Sequence, residues 1–502
     1  MQTLPDFPAF AEAHGRGEAV LVWTTLVADL ETPVSALMKL ADGRPNSFLF
    51  ESVEGGAVRG RYSFIGLKPD LIWRCRGEQV EINRQARIDA DAFEPSPDQP
   101  LVSLRKLIAE SRVDIPTPLP PMASGLFGYL GYAMIGRVER LPDTNPDTLG
   151  VPDGLLIRPT VVAIFDNIAD RVTVVTPVWP GEGADAKVAY AHARERLADV
   201  VADFGRSLPY RAEREADVDH TPEPETNLTR AQYHAMVEQA KEYIRAGDIF
   251  QVVPSQRFTV PFRLPPLTFY RALRRLNPSP FLFFLDFGDF SVVGSSPEIL
   301  VRLRDDKVTI RPIAGTRRRG VDAAEDAALA ADLLADPKEL AEHLMLLDLA
   351  RNDVGRVARI GTVKVVEQMI VERYSHVMHI CSTVEGQLDP ARGDMLDALM
   401  AGFPAGTVSG APKVRAMEII DELEPERRNI YGGAIGYFGG SGAMDTCIAL
   451  RTAVLKDGKL VIQAGGGVVA DSDPESEYQE SVNKSKALVR AAEEAKRFAA
   501  GR

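Results

Sequence analysis

The chain has 502 residues, 45% of them hydrophobic, 26% charged and 7% aromatic, which suits two large or three ordinary domains at ~150 residues each and excludes a small module or a disordered chain. Its 58 Lys and Arg against 71 Asp and Glu give a net charge of −13, which opposes attraction to nucleic acid or to an anionic membrane surface. Cys75, Cys381 and Cys447 stand far apart with no CxxC pair, and neither a basic leader nor an apolar run of ~20 residues occurs. Disulfide, thiolate-zinc and membrane-spanning readings are therefore excluded and a cytoplasmic protein is predicted.

Up to about Gly205, short apolar runs broken by turn residues predict strands: AVLVWTTLV, SFLFESVE, RYSFIGL, DLIWRC, VVAIFDN and RVTVVTP. Helical stretches such as Ala186 to Phe204 lie between or after them. Residues 207–227, SLPYRAEREADVDHTPEPETN, are charged, carry three prolines and offer almost nothing to bury, which reads as a linker. The second half opens with a helix: Thr229 as N-cap, Gln232 completing a capping box, then Tyr233, Met236, Val237, Ala240 and Ile244 at helical spacing up to Gly247. A strand, IFQVVPSQRFTV, follows directly. Asp336-Pro337-Lys338-Glu339 starts a second helix, into LAEHLMLLDLARND, and Asp473-Pro474-Glu475 starts a third that runs towards the carboxyl end. With no repeat of 20–50 residues and no strict βαβ alternation, the pattern predicts an α+β fold with antiparallel or mixed sheets.

Several segments carry chemistry-bearing residues, each with a bland reading beside the sharp one. Gly406-Thr407-Val408-Ser409-Gly410-Ala411-Pro412-Lys413 and Ala464-Gly465-Gly466-Gly467 lack the phosphate-loop spacing. Their bare N–H groups either receive a small anion or form tight turns. Glu477, Glu480 and Lys484 share one helix face, as a solvated ion-paired surface or as a divalent-cation site completed by Glu342 or Asp348. His379 lies in an apolar strand-like run, as a satisfied core residue or as an acid or base. Arg451, in ALRTAV, is a carboxylate-binding guanidinium or one half of a structural ion pair.

The ordered set RPIAGTRRRG, EHLMLLDLARNDVGRVA, YSHVMHICSTVEG, FPAGTVSGAPKVRAMEIIDELEP, YGGAIGYFG, ALRTA and QAGGGVVADSDPESEYQESVNK resembles the anthranilate synthase component I family of chorismate-utilising enzymes. With FLFESVE and RYSFIG in the first half, the resemblance spans nearly the whole chain. It implies a two-domain chorismate-binding fold with large sheets flanked by helices: residues 1–205 regulatory and tryptophan-binding, 206–225 linker, 226–502 catalytic. It also implies conversion of chorismate and ammonia to anthranilate and pyruvate, the first step of tryptophan biosynthesis from chorismate.

Site roles follow from the resemblance alone. Mg²⁺ would be held by Glu342 and Glu480, with Glu477 holding metal-bound water. Glu298 would be the general acid on the departing hydroxyl and His379 would act in the later elimination. Arg451 and Tyr431, with N–H groups of Gly465, Gly466 and Gly467, would hold the enolpyruvyl carboxylate, while Gly315, Thr316, Thr407 and Lys484 line the same cleft. Gln251 stands where sister enzymes that activate water carry a lysine, and Ala314 where the aminodeoxychorismate branch carries a lysine nucleophile. Glu51, Ser52, Asn277, Pro278, Pro280, Phe281 and Leu282 match the tryptophan-inhibitor site. The three cysteines lack the context of an amidotransferase nucleophile, so the resemblance implies a separate glutamine amidotransferase subunit, in a heterotetramer of two of each.

Overall fold

A computed structural model describes residues 1–54, 58–181, 185–208, 223–374 and 377–499. Most of the expected linker, 209–222, lies outside them. The fold is α+β, and every strand pairing in the described residues is antiparallel, the simpler of the two sheet types expected. Among these residues, no helix is long and apolar enough to cross a membrane.

The capping signals are realised as read. Thr229 and Gln232 exchange side-chain and backbone hydrogen bonds at the start of Arg230–Ala246, which Gly247 ends at φ 84. Tyr233, Met236, Val237 and Ala240 turn inward from that helix. Asp336 accepts the N–H groups of Lys338 and Glu339 and opens Pro337–Val357. The third helix is Pro474–Ala499, and the first-half helix is Ala186–Phe204.

Two strand expectations are corrected. RYSFIGL and DLIWRC belong to one strand, Val58–Arg76, because the interruption at Lys68 (φ 51) makes only a register shift between Pro69 and Leu71. IFQVVPSQRFTV is instead two short strands in different sheets, Gln251–Val252 and Ser255–Pro261. Pro254 between them has no N–H to continue a ladder.

The two halves are interleaved by backbone pairing. Ser47–Glu54 pairs with Phe281–Asp286, setting Glu51 opposite Leu282, and Gly125–Leu130 pairs with Ala434–Gly439. Alternate side chains then divide between cores. Phe283 and Leu285 join Phe48, Phe127 and Ile435 in an inner aromatic cluster, while Leu282 and Phe284 pack on Phe269, Tyr270 and Leu488 of the covering helices. On another face Leu300, Leu303, Met444 and Ile448 meet Leu347, Val354 and Leu399. Each such buried side chain contributes ~1.5–3 kcal/mol, so the sheet edges that carry the site are held from both faces.

Candidate active site

The two glycine-rich segments meet across Gln251–Val252. This strand pairs with Gly410–Ala411, and Val252 also bridges to Val468. Three carboxylates converge on the bare backbone that results. A Cβ on Gly466 would stand 2.7 Å from Glu477 Oε2 and 3.6 Å from Glu480 Oε1, and one on Gly467 would stand 3.7 Å from Glu342 Oε1. Glu342 accepts from Gln251 Nε2 at 3.1 Å. Glu477 Oε1 accepts from Ser472 at 2.7 Å, but its buried Oε2 has no partner. Burial, then the neighbouring Glu480 and Glu342 charges, push Glu477 up to about 7, and Glu342 is raised by burial likewise.

Lys484 pairs with Glu480 at 2.7 Å and donates to the Gly465 carbonyl at 2.8 Å, so the surface ion pair exists within the site rather than instead of it. Asp348 is exposed and paired with Arg351, away from this group, which leaves Glu342 as the carboxylate from that helix. Among the described residues no three His, Cys, Asp or Glu side chains are gathered closely enough to hold a metal ion on their own. Mg²⁺ asks less, taking one or two carboxylates and completing its shell with water and substrate oxygens. The all-oxygen donors and the unpartnered Glu477 Oε2 fit it.

Glu298 follows Phe290–Ser296, is buried, and accepts from Thr407 at 2.9 Å. Burial pushes its carboxyl up to about 8, so it holds its proton at neutral pH. His379, on Val377–Gln387, lies opposite Thr316. Its Nδ1 is 2.9 Å from the Gly315 carbonyl and 3.1 Å from Thr316 Oγ1. A carbonyl only accepts, so Nδ1 carries the proton and Nε2 keeps its lone pair. Burial lowers this imidazole to about 4, hence neutral. Gly315 is the bulge residue of Ile313–Arg318 at φ 70, a conformation that costs glycine little.

Arg451 is partly buried, and its guanidinium makes no hydrogen bond or ion pair to another described residue. Burial lowers its pKa, and its field in turn reaches His379, as does that of Lys484. An unpaired guanidinium in such a place has the chemistry to receive an anion. Tyr431 is buried, with its hydroxyl pushed up to about 12 by burial, so it stays neutral. The structure thus joins Thr407 to Glu298, Gly315 and Thr316 to His379, and Lys484 to Glu480 and Gly465, with the fields of Arg451 and Lys484 both reaching His379.

The expected inhibitor residues meet less completely. Glu51, Ser52, Pro280, Phe281 and Leu282 line a cavity of about 890 Å³ between the halves, whereas Asn277 and Pro278 do not. The Asn277 carbonyl instead accepts from Ser295. Both Glu51 oxygens are taken, by Arg274 at 2.7 and 2.8 Å and by Tyr270. Sequence reasoning also missed Tyr374, whose ring stands 5.5 Å from that of His379 and which lines the same cavity. It missed Arg428 and Glu424 too, a fully buried pair behind the cleft. The only signal there was two opposite charges four apart, just after the helix Lys413–Leu423.

A model of the chorismate binding enzyme family matches residues 68–490. The chain is 61% identical over 497 residues, 99% of each chain, to anthranilate synthase component 1 of Cereibacter sphaeroides. It is 48% identical over 483 residues to that of Pseudomonas aeruginosa, covering 95% of this chain and 96% of the relative. The crystal structure of anthranilate synthase component I from Streptococcus pneumoniae superposes with a TM-score of 0.77 at 36% identity, over 93% of this chain and 99% of that one. The menaquinone-specific isochorismate synthase of Escherichia coli shares the fold at TM-score 0.69 and 19% identity, over 97% of this chain and 100% of that one. The chain therefore belongs to the chorismate-binding enzyme family, among the anthranilate synthase component I proteins.

Proposed function

We propose that the protein is the large subunit of an anthranilate synthase, a lyase converting chorismate and ammonia to anthranilate and pyruvate in tryptophan biosynthesis. The observation that carries this reading is a pair of groups: buried Glu298, held by Thr407 with its carboxyl pushed up by burial, and partly buried Arg451, whose guanidinium has no partner among the described residues. A substrate bringing a carboxylate and a hydroxyl leaving group suits that pair.

Arg451, Tyr431 and the glycine N–H groups orient the enolpyruvyl carboxylate. Glu298 gives its proton to the 4-hydroxyl, which leaves as water while ammonia adds at C2. Neutral His379 offers Nε2 to the C2 proton in the elimination that follows, in which the C3–O bond breaks and pyruvate departs. Glu342 and Glu480 would hold Mg²⁺, with Glu477 on its water; the cation supplies charge neutralisation at the ring carboxylate. Ala314 offers no nucleophile, so a covalent lysine intermediate has no residue to form on. Ammonia would come from a glutamine amidotransferase subunit, in a complex of two of each, and tryptophan would bind the cavity at Ser52 and Leu282 as inhibitor.

Purified protein incubated with chorismate, Mg²⁺ and ammonium salt should develop anthranilate fluorescence. Formation of aminodeoxychorismate or isochorismate in its place would overturn the reading.

A further inference from the structure

Behind the cleft lies a buried guanidinium that the mechanism does not use. Arg428 donates through Nε and Nη2 to Glu424 at 2.6 to 3.1 Å, through Nη1 to the Val408 carbonyl, and through Nη2 to the Val253 carbonyl at 2.6 Å. Glu424 in turn accepts both the N–H and the hydroxyl of Ser255 at 2.8 Å, and Ser255 is the strand partner of Gly465. Val408 follows Thr407 directly. The guanidinium carbon stands 5.4 Å from the Tyr431 ring and 4.8 Å from the ring of Tyr132, which comes from the first half of the chain. Tyr132 is tied in by its N–H, donated to the Asn429 carbonyl at 2.8 Å, while its buried hydroxyl has no partner.

We propose that Arg428 is a positioning residue that sets the mutual placement of Thr407, Gly465 and Tyr431, and that the Tyr132 ring holds it there. The inference rests on the chorismate reading of the cleft and says how its receptor groups keep their spacing. Those three groups sit on separate elements: the single-turn helix Gly406–Val408, a strand end and a turn. A planar cation with all three nitrogens hydrogen-bonded reaches the support of each, that of Gly465 through Glu424 and Ser255, and apolar side chains of equal volume would fill the space without binding either carbonyl. Buried ion pairs add little net stability as a class, so specification of geometry is the role left for this one. The first half thereby reaches the substrate groups through one ring.

The test uses Tyr132→Leu, which removes the ring and orphans no bonded side-chain atom, with Tyr132→Phe as the ring-keeping variant and Arg428→Lys as the direct one. Tyr132→Leu should raise KM for chorismate about tenfold, the scale of one desolvated cation–ring contact, with KM for ammonium unchanged. Tyr132→Phe should match the wild type. Without substrate, amides of 405–410 and 463–467 should exchange faster with deuterium in Tyr132→Leu and, where it folds, in Arg428→Lys. A folded Tyr132→Leu with wild-type KM and exchange would overturn the proposal. So would a loss confined to kcat that tracks a lowered Tm, the result of a purely structural brace, or a Tyr132→Phe as impaired as Tyr132→Leu. Wild-type protein that does not turn over chorismate would remove the reading of the cleft, and the exchange measurement would still decide the positioning.

Discussion

Thr407 donates its hydroxyl to Glu298 Oε1 at 2.9 Å, so the single-turn helix Gly406–Val408 touches the group proposed to protonate the leaving hydroxyl. Burial drives Glu298 up to about 8, and the Thr407 bond pulls the other way.

The first prediction is a pH profile. Anthranilate formation should fall as pH rises through about 8, where Glu298 loses its proton. Thr407→Val removes the downward pull and should move that alkaline limb to higher pH; a limb that stays in place would show that the hydroxyl does not control the carboxyl. Glu298→Gln should lower kcat ~10²–10⁴-fold. Because the folded value exceeds the 4.5 of the free side chain, the native state binds the extra proton between those values. Stability from this carboxyl is thus present at low pH and lost as pH rises through about 8. Glu298→Gln should flatten that slope in melts taken across the window.

Arg451 should matter to binding rather than to folding. Its guanidinium has no partner among the described residues, so Arg451→Met removes a desolvation cost and should leave Tm equal or higher. KM for chorismate should rise ~10- to 100-fold, the worth of a charge-assisted bond of about 1.5–3 kcal/mol. A lowered Tm with unchanged KM would return Arg451 to the role of a structural cation.

Mg²⁺ should stabilise the folded protein measurably. Glu342, Glu477 and Glu480 converge on Gly466 and Gly467, and a ligand at 100 times its Kd adds about 2.7 kcal/mol. Millimolar Mg²⁺ should therefore raise Tm in calorimetry, a chelator should reverse it, and Glu480→Gln should abolish both the shift and turnover. A shift that survives in Glu480→Gln would place the cation elsewhere.

The cavity between the halves makes separable predictions. Ser52→Phe should fill it near Leu282, relieving tryptophan inhibition while ammonia-dependent activity stays within about twofold of wild type; equal loss of both would make the segment structural. Arg274→Ala leaves Glu51 buried beside Tyr270 without its cation. That should cost ~3–5 kcal/mol, read as a lowered denaturant midpoint.

Helix starts were legible because they are local. The Thr229–Gln232 box and the Asp336 and Asp473 caps depend on hydrogen bonds within one turn, so residue type and spacing announce them. Strand limits were less so. RYSFIGL and DLIWRC read as separate runs yet form the one strand Val58–Arg76, and IFQVVPSQRFTV reads as one strand yet divides at Pro254 between two sheets.

The sequence by itself determined the α+β class, the helix ends, the chemistry available in each motif and, through the order of those motifs, the family. Only the tertiary structure decided which alternatives hold. It placed Glu342 rather than Asp348 beside Glu480, left Arg451 without a partner among the described residues, gave both Glu51 oxygens to Arg274 and Tyr270, and set Arg428 against Glu424, the Val408 carbonyl and the Tyr431 ring. Periodicity records how a segment meets its own neighbours. Those choices instead depend on burial and charge among residues distant in the chain, settled when the sheets register and the halves interleave.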